Sequence, residues 1–409
     1  MQQRSIVRLG VPLAVTALAV SACGSRSDTP ASTGGAAATK TVKIGVIAPL
    51  SGGLSALGLG IQHSVELAVK QANDKNAIPG WKIEVAAKDD EAKPDVGKTA
   101  AGLLKDDPAV AGVVGTLNSG VAQQTQPILN AAKIVQVSPA NTNPSLTIGP
   151  DANAKKRQYA NYYRTCTTDA IQGPFAARYL LAQGIKKVAT IHDKQTYGQG
   201  LVAAFAAEFT KGGGEITKAE TITTKNNGGN NDFSTVISAV KPTGPQAVYY
   251  GGQYDEAGLL TAQMKDNGLN VPLMGGDGIF DPEYIKLSAN KANGDYATSV
   301  GAPTDSTAAG KTFLADYEKA GFKEPSAAYG GYSYDAANAI IEALKVTLKD
   351  AKDVASVREA TMTQVGKVSF DGVTGKVAFD EYGDTTSKVL TAYKVEGGKW
   401  VAAKTDTFQ

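Results

Sequence analysis

Short apolar runs alternate with stretches of helical spacing along most of this chain. Val42 to Ile47 reads as a strand that ends in a turn at Pro49–Gly53. Ile61, Val65, Ala68, Val69 and Ala72 then share one face of a helix over 61–73. The pattern repeats as strand 82–87, helix 95–105, strand 110–114 stopping at Gly115, helix 121–132, and strand 134–137 stopping at Ser138-Pro139. It resumes with strand 188–191, helix 200–211, strand 215–221, helix 233–240 and strand 247–250. Alternation of this kind predicts parallel sheets covered by helices on both faces. Ligands of such sheets gather at the carboxyl ends of the strands.

The N-terminus breaks the pattern. Arg4 and Arg8 lead into an apolar run, Leu9 to Val20, closed by Ser21-Ala22-Cys23. A basic head, a short apolar segment and small residues before a cut describe a secretory signal peptide over 1–22. With cysteine directly after the cut, the segment resembles a bacterial lipobox, in which the Cys23 sulfur carries a diacylglycerol. An ordinary signal peptide that happens to contain a cysteine is the plainer alternative. Residues 23–40 are small, polar and rich in Gly, Ala, Ser and Thr, the composition of a flexible tether. The expectation is a chain anchored by lipid at Cys23 to the extracytoplasmic face of the cell membrane, folded from Thr41 onward. No later stretch is long and apolar enough to span a bilayer.

Charge excludes more than it suggests. The chain has 41 basic and 39 acidic residues, and a leader that removes Arg4 and Arg8 leaves 39 of each. Without a Lys/Arg block or stripe, nucleic acid is not an expected partner. Two histidines, His63 and His192, and two cysteines leave no metal site of the His/Cys type. If Cys23 is lipidated, Cys166 is a semi-buried free thiol. Leu57-Gly58-Leu59-Gly60 is half of a dinucleotide loop and lacks the third glycine, so no cofactor is assigned. Ser51, Ser119 and Ser138 sit in no nucleophile elbow, and the pair His192-Asp193 is not a triad by itself. No catalytic residue is assigned either, and an enzyme reading lacks its nucleophile. Asn226–Asn231 reads as a mobile turn of low complexity.

Polar and glycine-rich loops follow the predicted strands: 51–53, 115–120, 138–142, 193–198, 251–256 and 275–278. Facing one another across a cleft, they would suit an amino-acid zwitterion. A carboxylate wants backbone N–H groups and hydroxyls, best at a helix N-terminus. An ammonium wants a carboxylate and neutral acceptors. Asn118-Ser119-Gly120 offers N–H groups and a hydroxyl before a helix; Thr142 offers a hydroxyl, Ala140 a carbonyl, and Asp277 a carboxylate among glycines. Ser119 reads equally as a helix cap, Asp277 as a turn residue stabilising its own loop, and Tyr197 as a core aromatic.

Six segments carry a family resemblance. The stretches 44–52 (IGVIAPLSG), 88–90 (KDD), 135–144 (VQVSPANTNP), 192–200 (HDKQTYGQG), 248–252 (VYYGG) and 274–278 (MGGDG) occur in the order found in leucine/isoleucine/valine-binding proteins. These are the solute receptors of branched-chain amino-acid ABC transporters. The resemblance covers Thr41 to the C-terminal strands. It implies an α/β, type I periplasmic-binding-protein fold: two doubly wound parallel-sheet lobes joined by a three-strand hinge. Lobe 1 would comprise 41–168 with 304–384, and lobe 2 169–303 with 385–409. It implies that Ser119, Ala140 and Thr142, beside Asn118, hold the α-carboxylate and α-amino groups. Tyr197 would cover the ligand, and Asp277 would take the place of an acidic ammonium partner that is often Glu in the family. Two positions depart from the family: Leu57 stands where an aromatic residue is common, and Gln253 where a tyrosine is common. Leu57 suits an aliphatic side chain, and Gln253 could admit a polar one. The cysteine pair that some relatives use as a disulfide is absent, with Ala92 and Asn118 at those places. The implied partners are an amino-acid ligand and a membrane permease, for a protein acting as a monomer. The alternative is a receptor or sensor of the same fold for an amide, urea or an aromatic acid.

Overall fold

The computed structural model describes residues 39–225 and 228–409. The leader, Cys23 and the tether up to residue 38 lie outside the described residues, as do Asn226 and Asn227 of the asparagine-rich turn. The first half of the fold runs β1 (Lys40–Ala48), α1 (Ser55–Asp74), β2 (Trp81–Asp89), α2 (Pro94–Asp106), β3 (Val110–Gly115), α3 (Ser119–Ala131), β4 (Val135–Ser138), α4 (Ser145–Ile148) and β5 (Tyr162–Arg164). The strands form one sheet in the order β2-β1-β3-β4-β5, parallel throughout. The middle follows as α5 (Asp169–Ala182), β6 (Lys187–His192), α6 (Thr196–Lys211), β7 (Glu215–Thr221), α7 (Ser234–Val240), β8 (Ala247–Gly251), α8 (Tyr254–Asp266), β9 (Leu273–Gly275), α9 (Pro282–Leu287) and β10 (Tyr296–Ser299). The C-terminal part comprises α10 (Ala308–Ala320), α11 (Gly330–Thr347), α12 (Arg358–Val365), the hairpin β11 (Ser369–Gly372) and β12 (Gly375–Ala378), β13 (Val389–Glu396) and β14 (Lys399–Thr407).

The second sheet has the order β14-β13-β10-β9-β8-β6-β7. It is parallel from β10 to β7, but β13 runs antiparallel to β10, and β14 antiparallel to β13. The expected parallel sheets are present, and the second gains an antiparallel pair at one edge. A hairpin can join antiparallel strands with a tight turn, here Gly397-Gly398, both at positive φ, whereas a parallel partner would need a crossover helix. β14 is the exposed edge and carries Lys399, Lys404 and Asp406, charges that discourage edge pairing. The chain passes between the two sheets three times: after Arg164, after Ser299 and before Val389.

Burial explains the elements. Every residue of β3, VAGVVG, is buried, as a strand covered on both faces requires. In α1 the five residues read as one face are all buried, and the helix begins at Ser55, six residues earlier than the apolar spacing shows. The Leu57-Gly58-Leu59-Gly60 stretch therefore lies inside a helix and not in a strand-to-helix loop. Gly58 is required there because a Cβ would overlap the Pro49 carbonyl at the end of the β1 turn. The first strand starts at Lys40, one residue before the expected boundary. Cys166 is fully buried rather than semi-buried, and burial pushes its thiol far above the ordinary range.

Several acids are buried with the core. Burial raises Asp90 and Asp193 to about 7, and Asp281, Asp295 and Asp335 to about 6. Asp335 illustrates why they are kept: it accepts from Val373 N at 2.9 Å, Thr374 N at 2.9 Å and Thr374 Oγ1 at 2.6 Å, fastening the β11–β12 hairpin to α11. Because each folded-state value exceeds the unfolded one, the native state holds more protons than the unfolded chain between about pH 4 and 7. Stability then falls as pH rises through that window. Groups shifted the other way, such as Asp89 and Asp107, contribute fully above the ordinary carboxylate value and lose that contribution only below it, outside this window. Thermal unfolding should give a higher midpoint at pH 5 than at pH 8; the reverse order would contradict this electrostatic account.

Candidate functional site

Register brings the functional loops together. In the first sheet the C-terminal residues Ala48, Gly115 and Ser138 lie at one end, with Ile47 opposite Gly115 and Ser138 opposite Arg164. In the second sheet His192 lies opposite Gly251, and Tyr250 opposite Gly275, so their loops also leave from one end. These two ends meet, and polar bonds cross between them. Asn143 Nδ2 donates to Thr196 O at 2.9 Å, Thr196 Oγ1 to Gln123 Oε1 at 3.3 Å, and Tyr254 OH to Gly53 O at 2.6 Å.

Asp277 opens a single 3-10 turn after β9 and is 2% exposed. Its Oδ1 accepts from Tyr197 OH at 2.8 Å and from Gln172 Nε2 at 2.9 Å, and its Oδ2 from Tyr329 OH at 2.7 Å. Gln172 Oε1 in turn accepts from Asp277 N and from Thr298 Oγ1, both at 2.9 Å, and Gly278 N donates to Tyr197 OH at 3.1 Å. All the side chains on this carboxylate are neutral. Burial raises the Asp277 carboxyl above its ordinary value, and the donors from Tyr329, Gln172 and Tyr197 pull it back toward the ionised form. Tyr197 is raised well above the phenol range, first by burial and then by the Asp277 charge, so it stays a donor. Backbone approach is tight beside it: a Cβ on Gly276 would crowd Gln172 Oε1, Leu201 and the Tyr197 hydroxyl.

Across the cleft, Ser119 is buried as the first residue of α3, with Asn143 N directed at its Oγ at 3.4 Å. The helix cap is Asn118, in extended conformation, and it makes no side-chain cap bond. Thr142 is fully buried, with its hydroxyl beside the Asp169 carboxyl. Ala140 is buried in the same loop, its N–H on Ser138 Oγ at 3.2 Å. Arg164 holds this loop from below. Its Nη1 donates to the Asn141 and Asn143 carbonyls at 2.7 and 3.0 Å, its Nη2 to Thr147 Oγ1 at 2.6 Å, and its Nε to Asp384 at 2.6 Å.

Leu57 and Gln253 complete the set chosen from the sequence, and Gln253 lines the cleft cavity with Asn118, Ser119 and Tyr197. Leu57 is buried in the core beside the first sheet, and Leu54 is the α1-side residue that lines the cleft cavity near Asn118. Gln253 caps α8 and is 8% exposed, with its Oε1 buried and unpartnered. The histidines serve packing: His63 stacks on Phe322 at 4.5 Å, and His192 Nδ1 accepts from Lys194 N at 3.0 Å.

Sequence reasoning missed Asp169, Gln172 and Tyr329. Asp169 and Gln172 occupy the first turn of α5, three positions apart and so on one face. The Asp169 N–H donates to Thr142 O at 2.8 Å, and its carboxylate is buried beside the Thr142 hydroxyl. Burial, then the Asp277 charge, push the Asp169 carboxyl well above its ordinary value, opposed by the Thr142 hydroxyl and Arg164. The available signal was an Asp-x-x-Gln spacing at a helix start. It escaped because the preceding strand, β5, is only three residues long.

Comparison with known proteins gives consistent matches. The family described as periplasmic binding protein matches residues 41–399. A Leu/Ile/Val-binding protein, BraC3 of Rhizobium johnstonii, is 34% identical over 367 residues, 89% of this chain and 94% of that one. The branched-chain amino acid transporter substrate binding protein LivJ of Streptococcus pneumoniae, solved in complex with isoleucine, superposes with a TM-score of 0.78 at 28% identity, over 90% of this chain and 99% of that one. A solute-binding protein of an R. palustris ABC transporter, solved with benzoate, shares the fold with a TM-score of 0.77 at 22% identity, over 89% and 96% of the two chains.

Proposed function

The chain belongs to the periplasmic binding protein family, and from that membership we propose that it is an extracytoplasmic solute-binding protein of an ABC importer, capturing a branched-chain or related aliphatic amino acid. The observation that carries this reading is the buried Asp277 carboxylate, bonded only by neutral side-chain donors, across the cleft from Ser119 and Thr142. A zwitterion offers each side what it can use. Its carboxylate takes the α3 N-terminus with Ser119 and Asn118, and its ammonium takes Asp277, Thr142 Oγ1 and the Ala140 carbonyl. Tyr197 closes over it.

The sheets support dividing the chain into lobe 1, 41–168 with 304–384, and lobe 2, 169–303 with 385–409, about the three crossing segments. Lobe 1 binds first. Closure adds Asp277 and Tyr197, and the tighter grip of the closed form drives the shift. The closed surface is then what a permease reads. An aromatic acid, urea or a simple amide has no ammonium, and would leave Asp277 and Asp169 without a cation. Calorimetric titration of the full chain against the twenty amino acids tests the proposal; heat with none of them would refute it.

The same reading places the protein on the membrane as a monomer held through Cys23. A diacylglycerol adds roughly 0.8 kcal/mol for each buried CH₂, enough for stable anchoring with two chains. Cys23→Ser should move the protein from the membrane pellet to the soluble fraction after cell lysis. Retention in the pellet would exclude the lipid anchor.

A further inference from the structure

Asp277 is held from outside its own turn. The 3-10 turn that it opens is only three residues long, and Gly276 precedes it. One side chain grips the residue at two points. Gln172 Oε1 accepts from Asp277 N at 2.9 Å, while Gln172 Nε2 donates to Asp277 Oδ1 at 2.9 Å. The ring so formed ties the carboxylate to its own backbone and fixes its direction. The partners decide which way the amide faces: a backbone N–H can only donate, so Oε1 meets it and Nε2 is left for the carboxylate. Thr298 Oγ1 donates to the same Oε1 at 2.9 Å. A Cβ on Gly276 would lie 2.5 Å from Gln172 Oε1, so the glycine is what lets the amide approach.

Resting on the amino-acid reading above, we infer that Gln172 is a positioning residue for the ammonium contact: it aims the Asp277 carboxylate at the ligand's nitrogen without itself touching the ligand. Gln172 is fully buried and is not one of the residues lining the cleft cavity, so it acts through Asp277. On the proposed division of the lobes, Gln172, Thr298 and Tyr197 travel with Asp277, whereas Tyr329 belongs to lobe 1 and parts from the acid as the cleft opens. The carboxylate therefore stays aimed in the open form, and an acceptor already in place needs no ordering when the ligand arrives. Gln172 also sits three positions from Asp169, whose N–H holds the Thr142 carbonyl at 2.8 Å. One helical turn thus bonds both the loop that carries Thr142 and the turn that carries Asp277. The electrostatics agree: burial raises the Asp277 carboxyl, and the Gln172 N–H is among the donors that favour its charged form.

The test compares the full chain's affinities for leucine, isoleucine and valine with those for the carboxylic acids that lack only the α-amino group. In the unmodified protein the tightest of the three should exceed its des-amino counterpart by about a hundredfold or more. Gln172→Met, similar in length but unable to bond, should cut that ratio by about tenfold or more, through weaker binding of the amino acid and not of the des-amino acid. Thr298→Val removes one donor from Gln172 Oε1 and should cut the ratio by about threefold. A residue that only packs would weaken both ligands alike. A large ratio in the unmodified protein that survives both substitutions overturns the inference and leaves the amino-acid reading standing. If Gln172→Met does not fold, an unchanged ratio in Thr298→Val overturns it alone. Equal binding of both ligands by the unmodified protein, or no binding of any of the three amino acids, overturns the reading and the inference with it.

Discussion

Asp277→Asn is expected to weaken binding of every α-amino acid by roughly 10- to 100-fold, the value of a charge-assisted hydrogen bond at about 1.5–3 kcal/mol. The substitution keeps an oxygen for Gln172 and Tyr197 and gives Tyr329 an amide N–H to bond in place of Oδ2, so the fold should survive. What disappears is the negative charge that a ligand ammonium needs. A pH series sharpens the test. The free carboxyl is raised by burial and must be ionised to hold an ammonium, so affinity of the unmodified protein should fall on acidification. The Asn variant should fall less steeply, Asp169 remaining as a titrating neighbour. An unchanged affinity, with an unchanged melting midpoint, would reduce Asp277 to a turn residue.

The largest effect on stability is expected at Arg164. The guanidinium is fully buried and spends its donors on Asp384, two loop carbonyls and Thr147. Arg164→Met leaves these acceptors unmet and Asp384 without its cation, a loss of about 3–5 kcal/mol for a broken buried pair. Denaturant unfolding measures it directly. Because two of the lost bonds hold the loop that carries Ala140 and Thr142, ligand binding should weaken as well. Arg164→Lys keeps the charge but not the planar fork, and should recover only part of the stability. A loss below about 1 kcal/mol for Arg164→Met, the level of a surface pair, would show that the loop is held by other contacts.

Most of the first sheet was legible because each strand is a short apolar run beside a helix with a clear face. β3 and α1 are examples, written almost wholly in buried residues. The antiparallel end of the second sheet was not legible: β14 is exposed along nearly its whole length, and its one apolar run, Trp400 to Ala403, is short and does not alternate. Ser119, Thr142, Tyr197 and Asp277 lie in loops that follow strands, the position that made them candidates in the sequence. Tyr329 was not. It reaches Asp277 from the N-terminal end of α11, more than fifty residues away in sequence, through a crossing of the chain that no local pattern records.

The central claim, that one layer of the fold neutralises an ammonium while the other grips a carboxylate, is most directly tested by removing the ammonium alone. Leucine, isoleucine and valine would each be titrated beside the carboxylic acid that lacks only its α-amino group. The account predicts that whichever amino acid binds tightest loses at least a hundredfold in affinity with that group, and that Asp277→Asn erases most of the difference. Equal binding of the amino acid and its des-amino counterpart would contradict it.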